Sequence, residues 1–473
     1  MLKRFLSSLL ACLILSTALL GCQSGNSNNN NSAAEEQSGE TGETGGTITV
    51  NFWSAPQKVQ YDFWVDKAEE FNKQNIEYNG KTVQVKVQQM PESPSSEAGI
   101  QNSIVTGTAP AISENISRSF AATLAQSGVI YDLQDEQWFK DIVSEKKMED
   151  IIKGWEIDSK QYVIPEYVNP ITWQWNAKAL KALGFTQVPQ TVEDLDRVLE
   201  AFKEKQAELS AIGVTHTLYR PALLRADQWW ERWFDFQMAY MALTNKTSWV
   251  ENDKLTLDRQ GTIDTFELFG KFGDTIQTSE VTDLWTGETT PVLLSPSAPW
   301  EIQALEEAGK SYGMDGDYVY GPSLVKNEGD IPYNFGDSKG IVLYKNSNIT
   351  DDQHNGAVTF IKWVYSDENC TQTDVEWLKA TTMLPVRGDI SDNDAFDEVI
   401  NNHPALKDLV EYSKYSIPCM ASDKMTDIQT QLGEAGMCPY IEKAKEQPVL
   451  NAPDASEYVD AAFEAMKSAG NLS

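Results

Sequence analysis

Apolar periodicity switches repeatedly between two and about 3.6 along the first part of this chain, and that switching constrains its fold most. "TITVNFW" puts Ile48, Val50 and Phe52 on one face of an extended segment. "QKVQYDFWVDKAEEFNKQN" then places Tyr61, Trp64, Ala68 and Phe71 at helical spacing. "VQVKVQ" alternates again through Val83, Val85 and Val87, and "SPSSEAGIQNSIVTG" reads as a capped helix ending at Gly107. This β-α-β-α order predicts an α/β layer with a mostly parallel sheet. Ligands of such sheets sit at the carboxyl ends of strands, which brings Trp53, Glu114 and Asn115 to a candidate site.

The chain begins "MLKRFLSSLLACLILSTALLGCQSGNSNNNN". A short basic segment and an apolar run too short for a membrane span have the shape of a secretory signal over 1–21. The run ends in Leu19-Leu20-Gly21-Cys22, which resembles the bacterial lipobox. That resemblance implies a lipid attached at Cys22, and more than one acyl chain gives stable anchoring. Residues 22–47 are polar and cannot offset their ordering entropy, so they are expected to form a flexible tether to a membrane.

The remaining body of about 425 residues suggests two domains. A net charge of −32 argues against nucleic acid as a partner. A solvated acidic surface accounts for that charge without any function. Cys370, Cys419 and Cys438 remain after the anchor, which leaves room for one disulfide, with Cys419 and Cys438 as one pairing. No cysteine or histidine has metal-ligand spacing. "SDNDAFDE" lacks the glycine and ligand spacing of a calcium loop, so neither metal nor cofactor is expected. The body's three histidines, His216, His354 and His403, lie in no nucleophile motif, and no catalysis is expected.

"SIVTGTAPAIS…LAQSGVIYDL" resembles the helix, Gly-x-x-Pro turn and following segment of extracellular solute-binding proteins of family 1. These are the sugar-type substrate-binding subunits of ABC importers. "DSKQYVIPEY…WQWNAKALKALGFTQVPQTVEDLDRVLEAF", "GETTPVLLSPSAPW" and "NGAVTFIKWVYSDENCTQ…TTMLPVRGD" are similar to further family blocks, in the family's order. Each block alone is weak; four in order carry the resemblance, which covers nearly everything after residue 47. There are departures: "WQWN" replaces Tyr-Asn, Val192 stands for a Trp, and Ala111 stands where Asp is frequent. These departures bear on the ligand class rather than on the fold.

The resemblance implies a two-lobed, periplasmic-binding-protein-like fold of type II, with a cleft between lobes. Crossings are expected near Ile164-Pro165-Glu166, Tyr320-Gly321-Pro322 and Leu384-Pro385-Val386. Lobe one would be 48–165 plus 322–385, and lobe two 166–321 plus 386–470. The implied function is capture of a carbohydrate, an oligosaccharide, for delivery to an ABC permease outside the cytoplasm. A secreted glycan-active enzyme, a glycan adhesin, and the same fold with a non-sugar solute are the alternatives.

A sugar presents apolar C–H faces and a rim of hydroxyls, so its site combines aromatic rings with a few polar groups. The resemblance makes Trp300 the leading stacking candidate, with Glu301 beside it. Trp173 and Trp175 share a face of an extended segment, close to Glu166. Trp53, Glu114, Asn115 and Arg118 are candidates from lobe one; Asp337 and Arg387 lie near expected crossings, where ion pairing is the competing role. In "ADQWWERWFDFQMAY", Trp229, Trp233, Phe236 and Tyr240 recur on one helical face, a core stripe in its later members. Trp230 lies off that face and is a candidate for lining the cleft.

Overall fold

The computed structural model describes residues 46–91, 95–224 and 229–473, without the side chains of 229–233. Cys22 and most of the expected tether lie outside the described residues, as does the side chain of Trp230.

The expected alternation is present. Strand β1 (Gly46–Ser54), helix α1 (Lys58–Lys73), strand β2 (Lys81–Gln89) and helix α2 (Ser96–Thr106) follow one another. Ile48, Val50 and Phe52 are buried, and β1 pairs β2 in parallel with Ile48 opposite Val83. Helix α2 starts where Ser95 accepts from the Ala98 amide. It stops at Gly107, whose φ of 70° is strained for any residue carrying a Cβ. Strand β3 (Ile112–Ser117) leads directly into α3 (Arg118–Gln126), with Ser117 as the capping residue.

Further along come β4 (Ile164–Asn176), β5 (His216–Tyr219), α4 (Trp229–Thr244), β6 (Ile276–Gln277), β7 (Val292–Ser297), β8 (Tyr318–Gly321) and β9 (Asn334–Leu343). The sheet runs β2-β1-β3-β9-β4-β7-β5-β6, with β8 pairing β4. Strand β4 organises it. Its residues up to Ile171 pair with β9, and those from Thr172 pair with β7 and β8. One strand is therefore shared by two α/β halves. Parallel pairs lie in both halves, while β9 and β4 run antiparallel to each other, β9 antiparallel to β3, and β4 antiparallel to β7 and β8. The mostly parallel expectation thus gives way to a mixed sheet at the crossings, because strands returning between halves must reverse direction.

Strand β4 is buried along almost its whole length, as a central strand covered on both faces must be. Gly340 of β9 comes so close to it that an added Cβ would sit 2.5 Å from the Ile164 carbonyl oxygen. One core packs α1, β1 and β2 with the helices Asp351–Val364 and Cys370–Thr381. Another holds Trp173, Trp175, Phe236, Tyr240, Phe266 and the C-terminal helix Ser456–Gly470. Cys370, Cys419 and Cys438 are reduced, so among the described residues no disulfide joins Cys419 to Cys438. The Cys419 sulfur instead receives the Gln429 side-chain amide at 3.3 Å. No described helix is long and apolar enough to cross a membrane.

Candidate ligand cleft

The register between β4 and β9 sets Tyr167 opposite Lys339, Asn169 opposite Asp337 and Ile171 opposite Phe335. Side chains alternate along strands, so these six share one face. From that face Phe335, Asp337 and Lys339 line a cavity of about 660 Å³, and Ile171 lines a second of about 330 Å³. The larger cavity is closed by the first turn of α2, by Asn115 and Ser117 of β3, and by Cys419, Asp423, Asp427 and Gln429 from the C-terminal part of the chain. The smaller is formed by Arg220 just past β5 and by Pro296, Ser297, Trp300 and Glu301 at the end of β7. Carboxyl ends of strands thus face this space, as the topology rule requires.

Phe234 of α4 lines both cavities and stacks on Phe335, with ring centroids 4.9 Å apart and planes 24° apart. Trp300 sits in the single turn Pro299–Glu301 and is 39% exposed, unusual for so large an apolar side chain. Burial raises the Glu301 carboxyl, and a hydrogen bond from Trp300 partly offsets this. Arg220 is held by Asp235 at 2.7 Å. In the larger cavity, burial likewise raises Glu97. Burial pulls the Lys339 ammonium down, but Asp337 and Glu97 more than reverse this. The Asp337–Lys339 contact is 3.3 Å.

Of the residues singled out in the sequence, Trp300 and Glu301 meet in the smaller cavity, and Asn115 and Asp337 in the larger. Trp173 and Trp175 are both buried among Leu180, Leu195 and Phe269, so neither ring face reaches a cavity. Trp53 is half-buried against the Ile100–Phe120 cluster. The Arg118 guanidinium lies over Trp155, 5.6 Å from the ring centroid, and burial lowers it to about 10. Arg387 is buried in an ion network: Nη1 meets Asp374 at 3.0 Å, Nε meets Asp389 at 2.8 Å, and Nη2 donates to the Glu145 carbonyl. Lys146 reaches the same Asp374 at 2.9 Å. Arg387 therefore ties one segment to another instead of facing ligand.

Glu114 and Glu166 form a buried carboxyl pair behind the wall of the larger cavity. Glu114 accepts from the Ala55 amide and from Gln60 at 3.3 Å, and Glu166 accepts from the Trp64 indole at 3.1 Å. Burial pushes Glu114 up to about 8. Burial, then the adjacent Glu114 charge, holds Glu166 well above the usual carboxylate range. Two such groups together retain a proton near neutrality. In front of them the Tyr167 hydroxyl donates to Asn115 Oδ1 at 2.7 Å.

Phe234, Phe335, Glu97, Lys339, Gln429 and Arg220 were not evident as cavity residues from the sequence. For Phe234 a signal existed, because it falls off the core stripe that contains Phe236 and Tyr240. The rest are brought together by strand register and carry no local pattern.

A family model for bacterial extracellular solute-binding proteins matches residues 67–408. An uncharacterized protein of Listeria monocytogenes is similar in structure, at 31% identity and TM-score 0.71, over 90% of this chain and 99% of the other. A cyclic alpha-maltosyl-1,6-maltose binding protein from Arthrobacter globiformis shares the fold at 15% identity and TM-score 0.66, covering 90% and 99%. A protein from Mycobacterium tuberculosis in complex with glycerophosphocholine does so at 13% identity and TM-score 0.65, covering 89% and 98%. Comparison with curated proteins gives no match. The matched span, two α/β halves sharing one strand, and the cavities at their strand ends lead to one assignment: this chain belongs to the bacterial extracellular solute-binding proteins.

Proposed function

We propose that the protein captures a carbohydrate, an oligosaccharide, between two lobes and delivers it to the permease of an ABC importer. The observation that carries this reading is the Trp300 ring, exposed in a cavity whose polar walls are Arg220, Ser297 and Glu301 and whose apolar walls are Ile171, Phe234 and Pro296. An open ring face with charged and hydroxyl groups at its edge suits a sugar's two kinds of surface. Glu301, Asn115 and Asp337 are its polar partners in this reading, and Phe234 is a second ring. The Arthrobacter neighbour's maltosyl-maltose ligand is of this class; the glycerophosphocholine of the Mycobacterium neighbour keeps a non-sugar solute as the second reading. Capture of this kind involves no reaction.

The proposed lobes are 48–165 plus 322–385 and 166–321 plus 386–470, joined through β4 and through the segments around 322 and 385. A ligand touching both stabilises their closed arrangement by its greater affinity for it. Small-angle scattering of the chain saturated with a tri- or tetrasaccharide that raises its melting temperature should show a smaller radius of gyration. An unchanged radius, with an unliganded radius matching the open form, would contradict capture by closure.

Cys22 is the proposed lipid attachment site, with 22–47 as tether. Detergent phase partitioning should move the Cys22→Ala chain out of the detergent phase after signal removal, since every acyl chain of the proposed anchor is carried by Cys22 and the polar tether has no membrane affinity of its own. Partitioning equal to that of the native chain would refute the anchor.

A further inference from the structure

The larger cavity is rich in carboxylates. Glu97, Asp337, Asp423 and Asp427 line it, against one cation among the described residues, Lys339, which Asp337 already contacts. In a chain with 70 acidic and 38 basic residues, such a ratio alone would mean little. A second observation points to a ligand. Gln429 also lines the cavity and is 2% exposed, yet its Oε1 accepts no hydrogen bond, while its amide nitrogen is spent on Cys419. A buried acceptor left unpaired is costly, and it is satisfied when a donor arrives. The stacked rings of Phe234 and Phe335 close one side, and Phe234 opens onto the cavity of Trp300 as well. Negative ring faces beside carboxylates suit a cation.

From this arrangement we infer that the ligand carries a protonated amine: a saccharide whose one end stacks at Trp300 while an amino-sugar unit lies in the larger cavity. There its ammonium and hydroxyls donate to Asp337, Asp427, Glu97 and Gln429 Oε1. This inference rests on the saccharide reading of the cleft and narrows it to cationic glycans. Carboxylates at the cavity mouth also steer a cation inward, an attraction that salt screens.

The test is titration calorimetry of the purified full chain at pH 6 with four probes: a glucosamine tetramer, its N-acetylated counterpart, a glucose tetramer and spermidine. The glucosamine tetramer should bind at least about tenfold more tightly than either neutral tetramer, with the preference falling as salt rises. Asp427→Asn, at an exposed helical position, should reduce that preference severalfold at unchanged melting temperature. Asp337→Asn should reduce it further. Neutral tetramers binding as tightly as the amine would overturn the inference and leave the saccharide reading standing. Binding of spermidine with no saccharide bound would overturn the saccharide reading and leave the cation site standing. Binding of none of the four contradicts both.

Discussion

Asp374→Ala is expected to destabilise the fold by roughly 3–5 kcal/mol, the usual effect of breaking a buried ion network from one side. Asp374 is 4% exposed and accepts from Lys146 at 2.9 Å and from Arg387 at 3.0 Å. Lys146 is completely buried, so its ammonium would lose its carboxylate where water cannot replace it. The network fastens the segment after β4's partner Leu384–Pro385 to the end of helix Gln137–Glu145. Urea unfolding measures this effect. A loss under about 1 kcal/mol would mean that water reaches Lys146 and that the network is peripheral. Replacing Asp374 by Asn should cost less, because the side-chain oxygen keeps one acceptor while the charge is lost.

Phe236→Ala should cost a similar amount, roughly 3–5 kcal/mol, for a different reason. The ring is fully buried and packs on Tyr240 at 5.4 Å, Trp249 at 5.1 Å and Phe266 at 5.9 Å. Removing it leaves a cavity among aromatic neighbours that cannot collapse far. Thermal melts should show the loss, while ligand affinity measured well below the transition stays within about twofold, because the ring touches neither cavity. A large affinity loss with little destabilisation would instead place the binding surface on this face of α4.

The fold was legible where periodicity carries it. Alternation through Ile48, Val50 and Phe52, the spacing of Trp64, Ala68 and Phe71, and the Ser95–Gly107 caps each act over a few residues, so local chemistry suffices. Phe236 and Tyr240 were legible as core for the same reason. Trp173 and Trp175 show the limit. Their spacing places them on one face of a strand, but β4 is covered on both faces, and only tertiary packing shows that their face meets Phe269 and Leu195. The cavities themselves were largely illegible, since Glu97, Phe234, Phe335 and Gln429 lie far apart in sequence. Their meeting depends on the register of β4 with β9 and on where the C-terminal helices dock. The Glu114–Glu166 pair was hidden likewise, because one member lies on β3 and the other on β4, and two carboxylates look unremarkable in so acidic a chain.

The central claim is that a saccharide stacks at Trp300, and calorimetry on Trp300→Ala tests it most directly. The saccharide that raises the melting temperature of the native chain is titrated into both proteins under one buffer. The account predicts a loss of roughly 1–3 kcal/mol in binding, at a melting temperature close to native, because the ring is 39% exposed and supports little core. Unchanged affinity in a variant that melts much earlier would contradict it, making Trp300 a packing residue and moving the sugar site elsewhere.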